Sequence, residues 1–183
     1  MFNRLFALFL LLVLSPLFIL VAISIFVEDG GPIFFKQKRV GINYTLFFIY
    51  KFRSMKKNTP NVATHLLDNP KQYLFTIGRI LRKLSFDELP NLINIVKGEM
   101  VFVGPRPALY NQDDLMALRV AAGVDKLKPG ITGWAQINGR DEISIVEKVV
   151  LEKEYLEKKG LWFDVLILLR TFTSVLRIKG VSH

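Results

Sequence analysis

The stretch "RKLSFDELPNL", residues 82 to 92, sets Asp87 beside Glu88, with Arg82 and Lys83 upstream and Pro90 downstream. Adjacent carboxylates repel each other, so a chain that keeps them together needs an offsetting positive field. Taken on the residues alone, two readings stay open. In the first, the pair sits at a helix start and interacts with the positive end of its dipole. A helix beginning near Asp87 puts Pro90 in the first turn, where its missing N–H costs nothing. Ser85 and Glu88 also match an S-x-x-E capping box, in a register that sets Pro90 deeper in the helix, where it fits worse. In the second reading, one carboxylate is a nucleophile. A carboxylate that attacks phosphorus forms an acyl phosphate, provided cations screen the incoming anion. Free N–H groups at a helix end suit phosphate, and an Arg fork matches it in two contacts. The second acid then has a task of its own, holding Mg2+, which takes oxygen ligands and bridges phosphate groups.

Little else in the chain could do chemistry. The absence of Cys excludes disulfides and thiolate reactions, and His65 and His183 are too few for a His-rich metal cluster or a Ser-His triad. Carboxylates and cations must carry any catalysis. Among the cations, Lys51 and Arg53 stand two apart and share a face if strand geometry holds. By themselves they read as a charged, solvated strand edge, just as Arg106 and Arg140 by themselves read as surface ion pairs.

The whole composition narrows the partners. A net charge of +9 from 25 Lys+Arg against 16 Asp+Glu accompanies a hydrophobic fraction of 51%. Apolar and basic together suits an anionic membrane surface, where each nearby cation adds about 1 kcal/mol. No nucleic-acid-binding motif is present and the positive charge is not gathered into one tract, which argues against a nucleic acid partner.

The elements that must position these residues begin in the membrane. "LFALFLLLVLSPLFILVAISIFV", residues 5 to 27, carries no charge, and as a straight helix it would reach about 34 Å, enough to span a bilayer core. It is too long, and lacks a small-x-small cleavage site, for a signal peptide. Ser15-Pro16 near its middle predicts a kink, with the freed carbonyl four residues back satisfied by the serine hydroxyl. Flanking charges (Arg4 before; Lys36, Lys38 and Arg39 after) leave a kinked span and a helix that leaves by the leaflet it entered equally supported. Next, aromatic-rich stretches around "RVGINY" predict a β-hairpin turning at Gly41-Ile42-Asn43. Residues 56 to 73, broken by Pro60 and Pro70, read as a loop. Ile77, Ile80, Leu81 and Leu84 fall at helical spacing, as do Leu89, Leu92, Ile93 and Val96, with Gly98 as the stop. Gly- and Pro-rich segments around 101 to 109 and 127 to 142 suggest loops or short strands. A Glu/Lys-rich helix at about 144 to 159 follows. The last helix is amphipathic, with Asp164, Arg170, Thr171, Ser174 and Arg177 on one side, suited either to packing on the core or to a membrane interface.

Ordered blocks over nearly the whole chain ("GPIFFKQKRVG", "FFIYKFRSM", "LRKLSFDELPNLINIVKGEMVFVGPRP" and "KPGITGWAQINGRDE") resemble bacterial sugar transferases of the small monotopic phosphoglycosyl transferase type. The resemblance implies an α+β, mostly helical fold: a re-entrant membrane helix broken at Ser15-Pro16 (residues 1–30) and a cytoplasmic membrane-associated catalytic domain (31–183). That domain would hold a small β-hairpin and amphipathic interfacial helices. It implies transfer of a sugar-1-phosphate from a UDP-sugar to polyprenyl (undecaprenyl) phosphate with release of UMP, through a covalent aspartyl-phosphosugar intermediate and with Mg2+, as the first membrane step of glycoconjugate biosynthesis. Asp87 would be the nucleophile and Glu88 the Mg2+ ligand. Lys51, Arg82, Arg106 and Arg140 would line the phosphate and nucleotide pocket. The implied location is one leaflet of the bacterial inner membrane, on its cytoplasmic face; homodimer formation stays open. Lys128, where relatives often carry Arg, keeps the charge without the fork and stands outside the implied site. Two rival readings are a non-catalytic basic membrane anchor and a lipid-phosphate hydrolase that uses the same aspartyl-phosphate chemistry with water as acceptor.

Overall fold

A computed structural model describes residues 1–60, 69–139 and 143–177, and it is mostly helical. The N-terminal apolar run is two helices, α1 (Phe2–Val13) and α2 (Ser15–Asp29), bent by 61° at Leu14. The break follows from proline chemistry. Pro16 sits in the first turn of α2, and the carbonyl that its ring would leave without a partner, that of Leu12, accepts a hydrogen bond from the Ser15 hydroxyl at 2.8 Å. Among the described residues, no single helix is long and apolar enough to cross a membrane; the bent pair meets that measure only when its two helices are counted together, by length and composition.

The hairpin forms as expected, β1 (Phe34–Val40) antiparallel to β2 (Leu46–Phe52), with Phe35 opposite Lys51. Its turn is Ile42–Tyr44, where Asn43 and Tyr44 take positive φ. Helix α3 (Thr76–Lys83) approaches the end of β2 so closely that a Cβ at Gly78 would lie 2.0 Å from the Ser54 carbonyl oxygen. Only glycine permits that approach.

After α3 the chain departs from both capping registers. Phe86–Glu88 is a single 3-10 turn, and helix α4 spans Asn91–Lys97 with Pro90 at its N-cap. Ser85 is left-handed (φ 56°) and its side chain makes no cap hydrogen bond. The acids therefore do not cap α4. Gly98 does end it, at φ 82°. The buried face of α4 is Asn91, Leu92, Asn94 and Ile95, shifted from the expected Leu89, Leu92, Ile93 and Val96, because two asparagines take core positions.

β3 (Val101–Val103) and β4 (Gly130–Thr132) pair in parallel. Around them lie α5 (Asp113–Ala121), the short α6 (Trp134–Ile137), α7 (Ile145–Lys158) and α8 (Leu161–Arg177). α7 opens on a complete Ser144/Glu147 capping box.

The bent pair is built onto the rest. Ala7 of α1 packs with Phe47, Ile49, Leu92 and Ile95; Val21 and Ile25 of α2 pack with Phe52, Phe75 and Leu81. Its other faces stay bare, with Phe2, Phe9, Leu12, Leu20, Phe26 and Val27 all exposed. α8 repeats the pattern. The side that faces the protein is mixed: Ile167 is fully buried and Phe163 packs against Trp134 and Tyr155, while Asp164 meets the Tyr155 hydroxyl at 2.8 Å, Thr171 meets Thr132 at 2.7 Å, and Arg170 lies over the Trp134 ring. Its apolar side, including Leu161, Trp162, Leu169 and Phe172, is exposed.

Candidate active site

Lys51 lies one residue from the end of β2, and its Nζ donates to Glu88 Oε1 at 2.7 Å. Arg106 Nη1 approaches the same oxygen at 3.5 Å. Asp87 is buried, 8% exposed, beside this pair, near enough to Lys51, Arg82 and Arg106 for all three to favour its charged form. Arg82 is oriented by the residues after β2, its Nε donating to Ser54 Oγ at 3.0 Å. Lys51, Arg82, Asp87, Glu88 and Arg106, drawn from four separate segments, thus converge. Arg140 lies outside the described residues. Among the described residues, no group of three or more His, Cys, Asp or Glu is arranged to hold a metal.

The electrostatics are strained in opposite directions. Burial pushes the Asp87 carboxyl above its usual range, the adjacent Glu88 charge adds to this, and the three cations oppose it. Burial likewise pulls the Lys51 ammonium below its usual range, helped by Arg106 and resisted by Glu88 and Asp87. Perturbed groups clustered around a buried carboxylate mark a place where charge is held ready for chemistry.

Several residues that hold this geometry escaped the apolar-period reading. Asn94, fully buried, donates Nδ2 to the Phe48 carbonyl and to Glu99, both at 2.7 Å, and accepts from the Tyr50 N–H at 3.2 Å. It pins α4 to the edge of β2 and so fixes the acidic pair relative to Lys51. Arg53 is no solvated edge cation: 6% exposed, it grips the Asp29 carboxylate and the carbonyls of Asp29 and Gly30 at the end of α2. Glu28 accepts from the Thr76 and Ile77 N–H groups at 2.5 and 2.7 Å, capping α3. The end of the apolar helix pair is thereby tied to α3, which carries Arg82, and to the residue that follows β2, which carries Lys51. An asparagine within a helical apolar run, and paired acids ending an apolar segment, were the available signals.

The sequence model described as bacterial sugar transferase matches residues 1–178. EpsL of Bacillus subtilis, described as an uncharacterized sugar transferase, is 39% identical over 183 residues, covering 100% of this chain and 89% of that protein. The exopolysaccharide production protein ExoY of Rhizobium meliloti is 36% identical over 188 residues, covering 93% of this chain and 81% of that protein. The UDP-glucose:undecaprenyl-phosphate glucose-1-phosphate transferase of Escherichia coli is 37% identical over 170 residues, covering 88% of this chain and 36% of that longer protein. With its acidic pair, Pro-Arg-Pro segment and bent apolar helices all inside the matched region, the chain belongs to the bacterial sugar transferase family.

Proposed function

We propose that this protein transfers a sugar-1-phosphate from a UDP-sugar to undecaprenyl phosphate, with Asp87 as the nucleophile. The observation that carries the reading is a buried carboxylate ringed by Lys51, Arg82 and Arg106, beside helices whose apolar faces are bare. In the first half-reaction an Asp87 oxygen attacks the phosphorus next to the sugar. The bond from that phosphorus to the bridging oxygen breaks, and UMP leaves with the electron pair. In the second, a phosphate oxygen of the lipid attacks the same phosphorus and returns Asp87 as a carboxylate. The cations hold the diphosphate and neutralise charge as it develops, which is most of what phosphoryl transfer needs.

Mg2+ is commonly bound through one or two carboxylates together with substrate phosphates, rather than in an all-protein cage. Glu88 offers one carboxylate to such a site, beside Asp87 and the cations that would hold the diphosphate, which fits that donor chemistry; Glu88 would hold the ion, which would supply further charge neutralisation on the diphosphate. Glu88→Gln is expected to raise the Mg2+ concentration giving half-maximal activity by about tenfold or more; an unchanged Mg2+ titration would remove Glu88 as the ligand. The test of the whole reading is purified protein with undecaprenyl phosphate, Mg2+ and a panel of UDP-sugars. UMP and lipid-linked sugar should appear together, whereas free sugar phosphate without lipid product would favour hydrolysis.

The re-entrant arrangement belongs to the same proposal. It is supported by the 61° bend, by the packing of both helices on one protein body, and by the outward apolar face of α8. A chain without cysteine gives labelling no background. Single cysteines placed near Met1 and near Lys57 should both label from the cytoplasmic side only; labelling from opposite sides would rule the arrangement out.

A further inference from the structure

The segment Pro105-Arg106-Pro107 poses a positioning problem. Its two prolines have no N–H to donate, so carbonyls must do most of the anchoring. Four consecutive carbonyls accept hydrogen bonds. Pro105 accepts from the Gly130 N–H at 2.9 Å and Ala108 from the Val40 N–H at 3.0 Å. Between them, Arg106 accepts from Arg119 Nη2 at 2.9 Å and Pro107 from Arg39 Nη1 at 3.0 Å. The two ends are held by backbone and the two central residues by guanidinium groups.

The Arg119 grip is itself braced. Arg119 on α5 and Glu152 on α7 are 5% and 2% exposed, and they pair through two hydrogen bonds, Nε to Oε2 at 2.8 Å and Nη2 to Oε1. A buried ion pair is weak evidence for stability, since an apolar pair of similar volume often serves as well. Stability alone therefore does not account for the pair, and Nη2 supplies another role: the atom that binds Glu152 also binds the carbonyl of the residue whose side chain reaches Glu88.

We propose that Arg119 and Glu152 are positioning residues for the transfer reaction, setting the backbone of Arg106 so that its guanidinium meets the acidic pair. Arg39 holds the next carbonyl to the same end. The inference rests on the proposed function for its kinetic consequence, though its structural content stands apart from it.

The paired replacement Arg119→Met/Glu152→Leu separates positioning from folding. It removes the buried charges together, so the fold and Tm should be kept while the Arg106 carbonyl loses its donor. Turnover should fall about 10- to 100-fold, the range a displacement near 1 Å can produce, and amide hydrogen exchange over residues 101–112 should rise. In an Arg106→Ala background the same pair of changes should cost little further activity, because the effect passes through Arg106. Parent-like turnover and exchange in the paired variant, or full additivity with Arg106→Ala, would overturn the proposal. Should the paired variant fold poorly, Arg119→Lys retains the charge against Glu152 but loses the fork, and the same readouts apply. If the parent protein itself shows no transfer, the functional reading fails, and exchange at 101–112 still decides the positioning claim.

Discussion

If Asp87 is the nucleophile proposed above, Asp87→Asn is expected to lower turnover by about 10^3- to 10^6-fold, the range seen when a covalent nucleophile is removed. An amide is a poor nucleophile, so no phosphosugar adduct forms; intact-mass measurement after mixing with a UDP-sugar in the absence of lipid acceptor should find the adduct on the parent alone. The fold should not suffer. Burial raises the Asp87 carboxyl, so the folded state favours its protonated form. A raised folded value means that stability is fully present below the unfolded value and is lost as pH rises through the folded one. At neutral pH the ionised acid is thus a burden on the fold, which asparagine does not carry. The Tm of Asp87→Asn should equal or exceed that of the parent at pH 7, with the difference opening as pH rises above about 4, since an unperturbed Asp titrates near 3.9. A variant without this carboxyl that still makes lipid-linked sugar at the parent rate would overturn the covalent mechanism.

How much of this was written plainly in the sequence depends on the range of the interaction. The helix break was legible because its causes are local: Pro16, the Leu12 carbonyl and the Ser15 hydroxyl lie within five residues. The extent of α7 was legible from its run of Glu and Lys, though the Ser144/Glu147 capping box that starts it, equally local, was not read. The acidic pair was locally ambiguous. Whether Ser85, Asp87 and Glu88 cap a helix turns on a left-handed Ser85 and on Pro90 standing at the N-cap, and those depend on where β2 and α3 hold the chain. Resemblance to a family, not periodicity, singled out Asp87. Long-range partners were silent altogether. Nothing near Lys51 announces a carboxylate 37 residues away, and nothing near Arg53 announces the end of α2. The last helix carries the clearest lesson. Its amphipathic pattern was visible, but the side that faces the protein sets Asp164 and Thr171 beside the buried Ile167, and the bare side is apolar. An amphipathic helix tells which faces differ, not which medium each one meets.

Lys51→Met should have the second largest effect, and its partner variants divide charge from packing. Lys51 is the closest cation to Glu88 and the strongest opposing pull on the Asp87 shift. Without it the transferring phosphate loses a preorganised positive group, which should lower turnover by about 10^2- to 10^3-fold. Lys51→Arg restores the charge and separates the two through pH. Burial lowers the Lys51 ammonium, so the lysine protein should lose activity on the basic side earlier than an ordinary lysine would dictate. Arginine stays protonated throughout, so its variant should keep activity further into the basic range. The acidic limb, which follows the raised Asp87, should remain above the usual aspartate range in both proteins. These limbs belong to the coupled cluster rather than to single residues, yet the direction of movement is specific. If Lys51→Arg shifts neither limb, Lys51 is not the cation whose charge the reaction requires, and Arg82 and Arg106 must be carrying that charge between them.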